Sequence, residues 1–287
     1  VNSNSNAGGC TLAKEKMKAR GLFAVILVLS LLMPIMAFAD KKNKKQVTYY
    51  IPQPDALPHP SFPEQVRKPL AHTVLYTKNT RAYPTKRYGI DVSRYQGKIN
   101  WKEVAKDKRV TFVYMKATES TGLVDPTYKR NHKEARRAGL PVGVYHFFSP
   151  QTPAQQQLAN FRNTVSPRTQ DLIPIVDVEV APKRRSQIVP FLKRLRTFVN
   201  GVEKYFGCKP IIYTSQSFYN KFLAGKFLDC PFMFAKYSNE VPQVTDNPKF
   251  LIWQFTASGR IRGISGDVDR SCLMNGYTLD DIRYKRK

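Results

Sequence analysis

The sequence predicts an α/β protein whose main domain is a single β/α barrel. Two patterns carry that expectation. After Arg87, short apolar runs rich in β-branched and aromatic residues alternate with amphipathic ones, and such alternation over roughly 200 residues argues for a parallel sheet covered by helices. The ends of the apolar runs carry acids, tyrosines and a tryptophan, which suits a barrel whose C-terminal strand ends converge on one mouth.

The elements follow in order. The expected strands are YGIDVS (88–93), VTFVYMKAT (110–118), PVGVYHFF (141–148), LIPIVDVEV (172–180), KPIIYTS (209–215), PFMFAKYS (231–238) and FLIWQFT (250–256). Between them, PTYKRNHKEARRAG (126–139) has Pro126 near its start and Gly139 at its end, which is helix punctuation. PAQQQLANFRNTV (153–165) is the next helix. SQIVPFLKRLRTFVNGVEKYFG (186–207) is longer, with Pro190 early and Gly201 weakening its middle. SQSFYNKFLAG (215–225) follows the fifth strand, and GRIRGISGDVDRSC (259–272) reads as a Gly-rich loop.

The 287 residues are 42% hydrophobic and 12% aromatic, enough for a real core. The formal net charge is +26, from 47 Lys and Arg against 21 Asp and Glu. That excess favours anionic polymers, whether nucleic acid, an acidic membrane or acidic wall material, although a generically basic surface gives the same count. No helix-turn-helix, zinc or RNP signature supports nucleic acid. Lys14, Lys16, Lys18 and Arg20 precede GLFAVILVLSLLMPIMAFA (21–39), which Pro34 interrupts and Ala37-Phe38-Ala39 closes. This predicts a secretory signal peptide over 1–39, cleaved before Asp40 with Met17 as a candidate start, and export to the periplasm, cell surface or medium. The same run also reads as an uncleaved membrane anchor. Lys and Pro dominate 40–86, a basic linker or arm, and the barrel domain is expected over 87–287. Cys10 falls in the leader. Cys208 and Cys230 are a candidate disulfide, with buried free thiols, Cys272 included, as the other reading. No His/Cys cluster calls for a metal and nothing calls for a cofactor; a monomer is expected.

LIPIVDVEV carries the sharpest chemical signal. In a strand, Asp177 and Glu179 share a face about 6.6 Å apart at roughly 3.3 Å rise per residue. Two carboxylates on a buried strand cost free energy unless they are paired or used. They are either salt-bridged structural acids or the acid pair that cleaves a glycosidic bond, one protonating the leaving oxygen and the other answering positive charge at the anomeric carbon. The spacing does not choose between retaining and inverting geometry. Asp91, Tyr145, Tyr213, Tyr237, Trp253 and Gln254 stand at the other strand ends, and aromatics beside carboxylates suit a sugar, with core packing as the alternative role of each ring. His146 is expected as a packed, hydrogen-bonded histidine, and Lys116 as the partner of Glu119.

From Arg87 to about Gly276 the chain resembles the glycoside hydrolase family 25 lysozymes, the Chalaropsis-type N-acetylmuramidases. The stretches that carry it are YGIDVSRYQGKINW (88–101), FVYMKATESTGLVDPTY (112–128), AGLPVGVYHFFSP (138–150), IPIVDVE (173–179), IIYTS (211–215), FAKYS (234–238) and IWQFTASGRIRGISGDVDRS (252–271). The resemblance implies an irregular β/α barrel and hydrolysis of the N-acetylmuramic acid to N-acetylglucosamine bond of peptidoglycan. It makes Glu179 the general acid, Asp177 its stabilising or substrate-assisting partner, and Asp91 an acid of the groove. SGDVDRS departs from the family's GNVDLN: Asp269 is the counterpart of its acid and Asp267 stands where Asn is usual. FAKYS also departs, with Lys236 where Gln or Arg is common. Two rivals remain: a chitinase-like hydrolase, against which the missing DGxDxDxE run before Asp177 argues, and a non-catalytic wall-binding module, against which the four acids argue.

Overall fold

The computed structural model describes residues 87–286, so the predicted signal peptide and the basic arm lie outside the described residues. Nine strands form one sheet: β1 (Tyr88–Val92), β2 (Phe112–Glu119), β3 (Leu123–Val124), β4 (Val142–Phe147), β5 (Ile175–Asp177), β6 (Ile211–Ser215), β7 (Pro231–Ala235), β8 (Lys249–Gly259) and β9 (Val268–Leu273). The order β1-β9-β8-β7-β6-β5-β4-β2-β3, with β1 also pairing β2, closes eight of them into a barrel and leaves β3 as a hairpin partner of β2. The helices are α1 (Trp101–Val104), α2 (Tyr128–Arg137), α3 (Ala154–Thr164), α4 (Ile188–Phe206) and α5 (Gln216–Phe218), the last running into a π-helical turn over Tyr219–Leu223.

The barrel is parallel except at its seam. β9 runs antiparallel to both β1 and β8, and this closes the cylinder. The sequence reading of 259–272 as a loop is therefore wrong: β8 runs to Gly259 and β9 occupies 268–273. Two glycines and a buried Arg270 hide the strand signal. Arg270 faces outward yet is buried, its guanidinium 5.3 Å from the Phe255 ring centroid.

A second correction concerns 172–180, where the strand is only Ile175–Asp177. Pro174 has no N–H for the ladder. Leu172 and Ile173 turn to the C-terminal segment instead: Ile173 N donates to Ile282 O at 2.9 Å, and Leu172 bridges Arg283. Val178 N still donates to Tyr213 O at 2.9 Å, so extended backbone persists one residue past the strand and carries the chain toward Glu179.

Alternation divides the core into two layers. Outward residues of the strands pack under the helices. There His146 is fully buried and stacked on Phe198 at 4.5 Å, with Nδ1 2.7 Å from Thr118 Oγ1 and Nε2 3.2 Å from Gln157 Oε1; burial pushes its pKa down to about 3, as a packed histidine requires. Inward residues Phe112, Tyr114, Ile175, Ile211, Met233 and Leu273 fill the lower barrel, with Leu172 and Ile282 beneath. Gly89 and Gly143 make that packing possible, since a Cβ at either would strike the Phe112 or Tyr114 ring. Cys230 and Cys272 are buried free thiols, so the Cys208–Cys230 disulfide is not formed.

Candidate active site

The same alternation that puts Ile175 in the lower barrel puts Asp177, two residues on, at its upper mouth. A pocket of about 230 Å³ opens there. It is lined by Asp91 from β1, Asp177 and Glu179 from the end of β5, and Asp269 from β9, with Tyr145, Tyr213, Tyr237 and Gln254 around them. Eight of the ten predicted site residues thus meet in one place.

Two do not. Trp253 neighbours Gln254 on β8 and so faces the other way. It is 5% exposed, packs edge-on against Phe255 at 5.9 Å, and its Nε1 donates to Lys236 O at 3.0 Å. Asp267 lies before β9, pairs with Arg260 at 3.1 Å, and accepts Gln96 Nε2 only through its backbone carbonyl. Neither lines the pocket.

Other lining residues were not singled out by sequence. Lys116 was expected only to pair with Glu119, which it does at 2.5 Å, but it is also the one cation of the pocket lining, 4.7 Å from the Phe147 ring centroid. Its place two residues beyond Tyr114 on an inward-facing strand was the available signal. Tyr95 is 74% exposed at the mouth, held by a turn in which Ser93 Oγ accepts from Tyr95 N and Gln96 Oε1 from Ser93 N. A short Ser-x-x-Gln capping box after a strand was legible, but a lone Tyr in it was not distinctive.

A relay of hydrogen bonds fixes one side of the pocket. The Tyr213 and Tyr237 hydroxyls both donate to Gln254 Oε1 at 2.9 Å, which leaves Gln254 Nε2 to donate to Asp91 Oδ2 at 3.2 Å. Ser271 Oγ donates to the same oxygen at 3.1 Å. On the other side Asp177 Oδ1 is buried without a hydrogen-bond partner among the described residues.

Four acids in one low-dielectric mouth resist ionisation. Burial lifts the Asp91 carboxyl from 3.8 to about 6, against the lowering effect of its bonds from Gln254 and Ser271. Burial lifts Asp177 well above the usual range, and the Glu179 charge adds to it while Lys116 opposes. Asp269 is raised by burial and then by Asp91 and Glu179. Glu179 has the most solvent contact of the four, yet desolvation still raises it, again opposed by Lys116. The Glu179 charge opposes that of Asp177, so the pair gives up its last proton less readily than an isolated carboxyl does.

Asp91 gives a stability prediction. Its folded pKa lies above its unfolded one, so the folded state binds more protons between pH 3.8 and about 6 and loses stability as pH rises through that window. Asp91→Asn keeps an oxygen for Gln254 and Ser271 and is expected to be more stable than the parent by about 2–3 kcal/mol at pH 7.5. Urea unfolding at pH 7.5 and 3.5 checks this: the gain should vanish at the lower pH, and a gain equal at both would remove ionisation as its cause.

The sequence profile of the glycosyl hydrolases family 25 matches residues 90–264. The uncharacterized protein YegX of Escherichia coli K12 is 36% identical over 242 residues, covering 83% of this chain and 82% of its own length. Lysozyme M1 of Streptomyces globisporus is 32% identical over 195 residues, 64% of this chain and 66% of its own. Among solved structures, the bacterial lysozyme from Streptomyces coelicolor is similar with a TM-score of 0.60 at 29% identity, covering 68% of this chain and 94% of that one. A family 25 glycosyl hydrolase from Bacillus anthracis gives 0.59 at 28% identity, over 65% and 88%.

Proposed function

The chain belongs to glycosyl hydrolase family 25 and is a glycoside hydrolase of the muramidase class, and from that premise we propose that it cuts the β-1,4 bond between N-acetylmuramic acid and N-acetylglucosamine with Glu179 as general acid and Asp177 as its partner. The observation that carries the assignment is the unequal placing of two adjacent acids with raised pKa values. Glu179 is open to the pocket, where a glycosidic oxygen can reach it, while Asp177 is buried with Oδ1 unpartnered.

In this reading the pair's last proton sits on Glu179 when substrate binds and passes to the leaving oxygen as the glycosidic bond breaks. The substrate's 2-acetamido oxygen attacks the anomeric carbon, its N–H filling the vacant acceptor on Asp177, whose negative charge stabilises the positive charge that develops. Glu179, now a carboxylate, takes a proton from the water that opens the cyclic intermediate. Lys116 favours the charged form of both carboxyls against their burial, and so helps Asp177 carry the negative charge this step needs. Tyr145, Tyr213 and Tyr237 form the walls against which the sugars lie. The proposal includes export by the N-terminal leader and electrostatic attraction of the basic chain to an anionic wall.

The test is product analysis. Peptidoglycan treated with the protein is reduced with borohydride and the reduced sugar identified by mass spectrometry. Reduced muramic acid is expected. Reduced glucosamine would place the cut at the other bond and overturn the assignment.

A further inference from the structure

The cations around the pocket mouth fall into two groups. Lys116, Lys236 and Arg260 are neutralised by Glu119, Glu240 and Asp267. Arg94 and the run Lys183, Arg184 and Arg185 are exposed, and none of these four forms an ion pair among the described residues. Arg94 follows β1, with its guanidinium 5.1 Å from the ring centroid of Tyr95, which itself lines the pocket. The 183–185 run begins four residues beyond Glu179, in the loop after β5. β1 and β5 are separated round the closed barrel by β2 and β4, so the two cationic segments follow strand ends that line the pocket from different sides.

Only the backbone of the run serves the fold, Arg184 N donating to Gln187 Oε1 at 3.2 Å and its carbonyl accepting from Gln187 N at 2.9 Å; the three charges find no ion-pair partner among the described residues. The run precedes α4, where the helix dipole disfavours positive charge, and three adjacent like charges repel one another. Unpaired cations around an anionic pocket suit a substrate that is uncharged at the reacting bond and anionic further out. A peptidoglycan strand has that pattern: its lactyl groups are amidated by stem peptides, and the free carboxylates hang away from the sugar chain. Arginine forks match carboxylates in particular.

We propose that Arg94, Lys183, Arg184 and Arg185 form a carboxylate-binding rim that takes the stem peptides and selects peptide-bearing strands, an inference that rests on the muramidase reading above. The full chain and a Lys183→Gln, Arg184→Gln, Arg185→Gln variant are compared on three materials. These are intact peptidoglycan, peptidoglycan with its carboxyls capped as methylamides, and amidase-stripped strands that keep lactyl carboxylates but no peptides. The variant is expected to lose about tenfold in kcat/KM on intact material, with weaker salt dependence, and to match the parent on the other two. Arg94→Gln should show the same pattern more weakly. An unchanged rate on intact material, or an equal loss on capped material, overturns the rim; a loss on stripped strands assigns the charges to lactyl groups and also overturns it. Equal melting temperatures exclude misfolding. Cosedimentation with intact and capped material reads the rim without hydrolysis. If the parent cleaves none of the three, the muramidase reading falls, and retention on intact but not capped material still decides the rim.

Discussion

Glu179→Gln is expected to lower kcat on peptidoglycan by a factor on the order of 10² to 10⁴, the usual contribution of a positioned general acid. The amide keeps the size and polarity of the side chain but has no proton of suitable acidity to give. Substrate retention should persist, because Asp91, Asp177 and Asp269 and the tyrosine walls are untouched. The parent's activity should fall as pH rises through the raised pKa of the pair, since the acid must be protonated to act. The variant's residual rate should lack that limb. Turnover within threefold of the parent, or a residual rate with the same alkaline limb, would move the acid to another residue, and Asp177→Asn would then be the variant to examine.

The second large effect is on stability. Phe198→Ala should destabilise the barrel by about 3–5 kcal/mol, the range for a buried aromatic truncated to alanine. Phe198 is fully buried on α4, stacks on His146 at 4.5 Å, and meets Phe148 at 5.5 Å and Phe161 at 6.3 Å. It joins α3 and α4 to β4, whose Tyr145 and Phe147 line the pocket, and its removal leaves a void that several rings would have to share. For a domain of this size the melting temperature should drop by roughly 6–20 °C. Calorimetry of the two proteins checks this, and a fall of less than about 2 °C would mean that α4 repacks without cost. Below its melting transition the variant should retain the parent's pH profile, because none of the pocket carboxyls touches this ring.

Much of this protein was legible before folding. Apart from 172–180, which Pro174 cuts to Ile175–Asp177, most strand and helix runs after Arg87 appear close to their expected bounds because each carries its own period, two for the strands and 3.6 for α2, α3 and α4. Asp91, Asp177, Glu179 and the three tyrosines also met as expected, because in a barrel of parallel strands the C-terminal ends share a mouth; Asp269, read in a loop, reaches the same mouth because the antiparallel β9 begins where its neighbours end. Where the local pattern was weak, expectation failed. β9 was missed because Gly263, Gly266 and the charged Asp267, Asp269 and Arg270 mask a strand whose outward arginine is buried by tertiary packing. The last turns of 215–225 wound into a π-helix, a register that intrinsic propensity does not encode.

The sequence by itself determined the alternation of elements, the strand ends at which acids and aromatics fall, and the Asp177–Glu179 spacing, all of which are properties of neighbours along the chain. Only the tertiary structure decided which of two adjacent residues faces inward. Gln254 entered the pocket and Trp253 the outer core because the ladder register of β8 against β7 and β9, bulges included, sets the phase of alternation. It also decided that Lys116 would stand among four acids drawn from β1, β9 and the end of β5. Those charges are up to 153 residues from it in sequence, from Lys116 to Asp269, and their effect on one another falls with distance in space through a low dielectric, which chain closure alone creates.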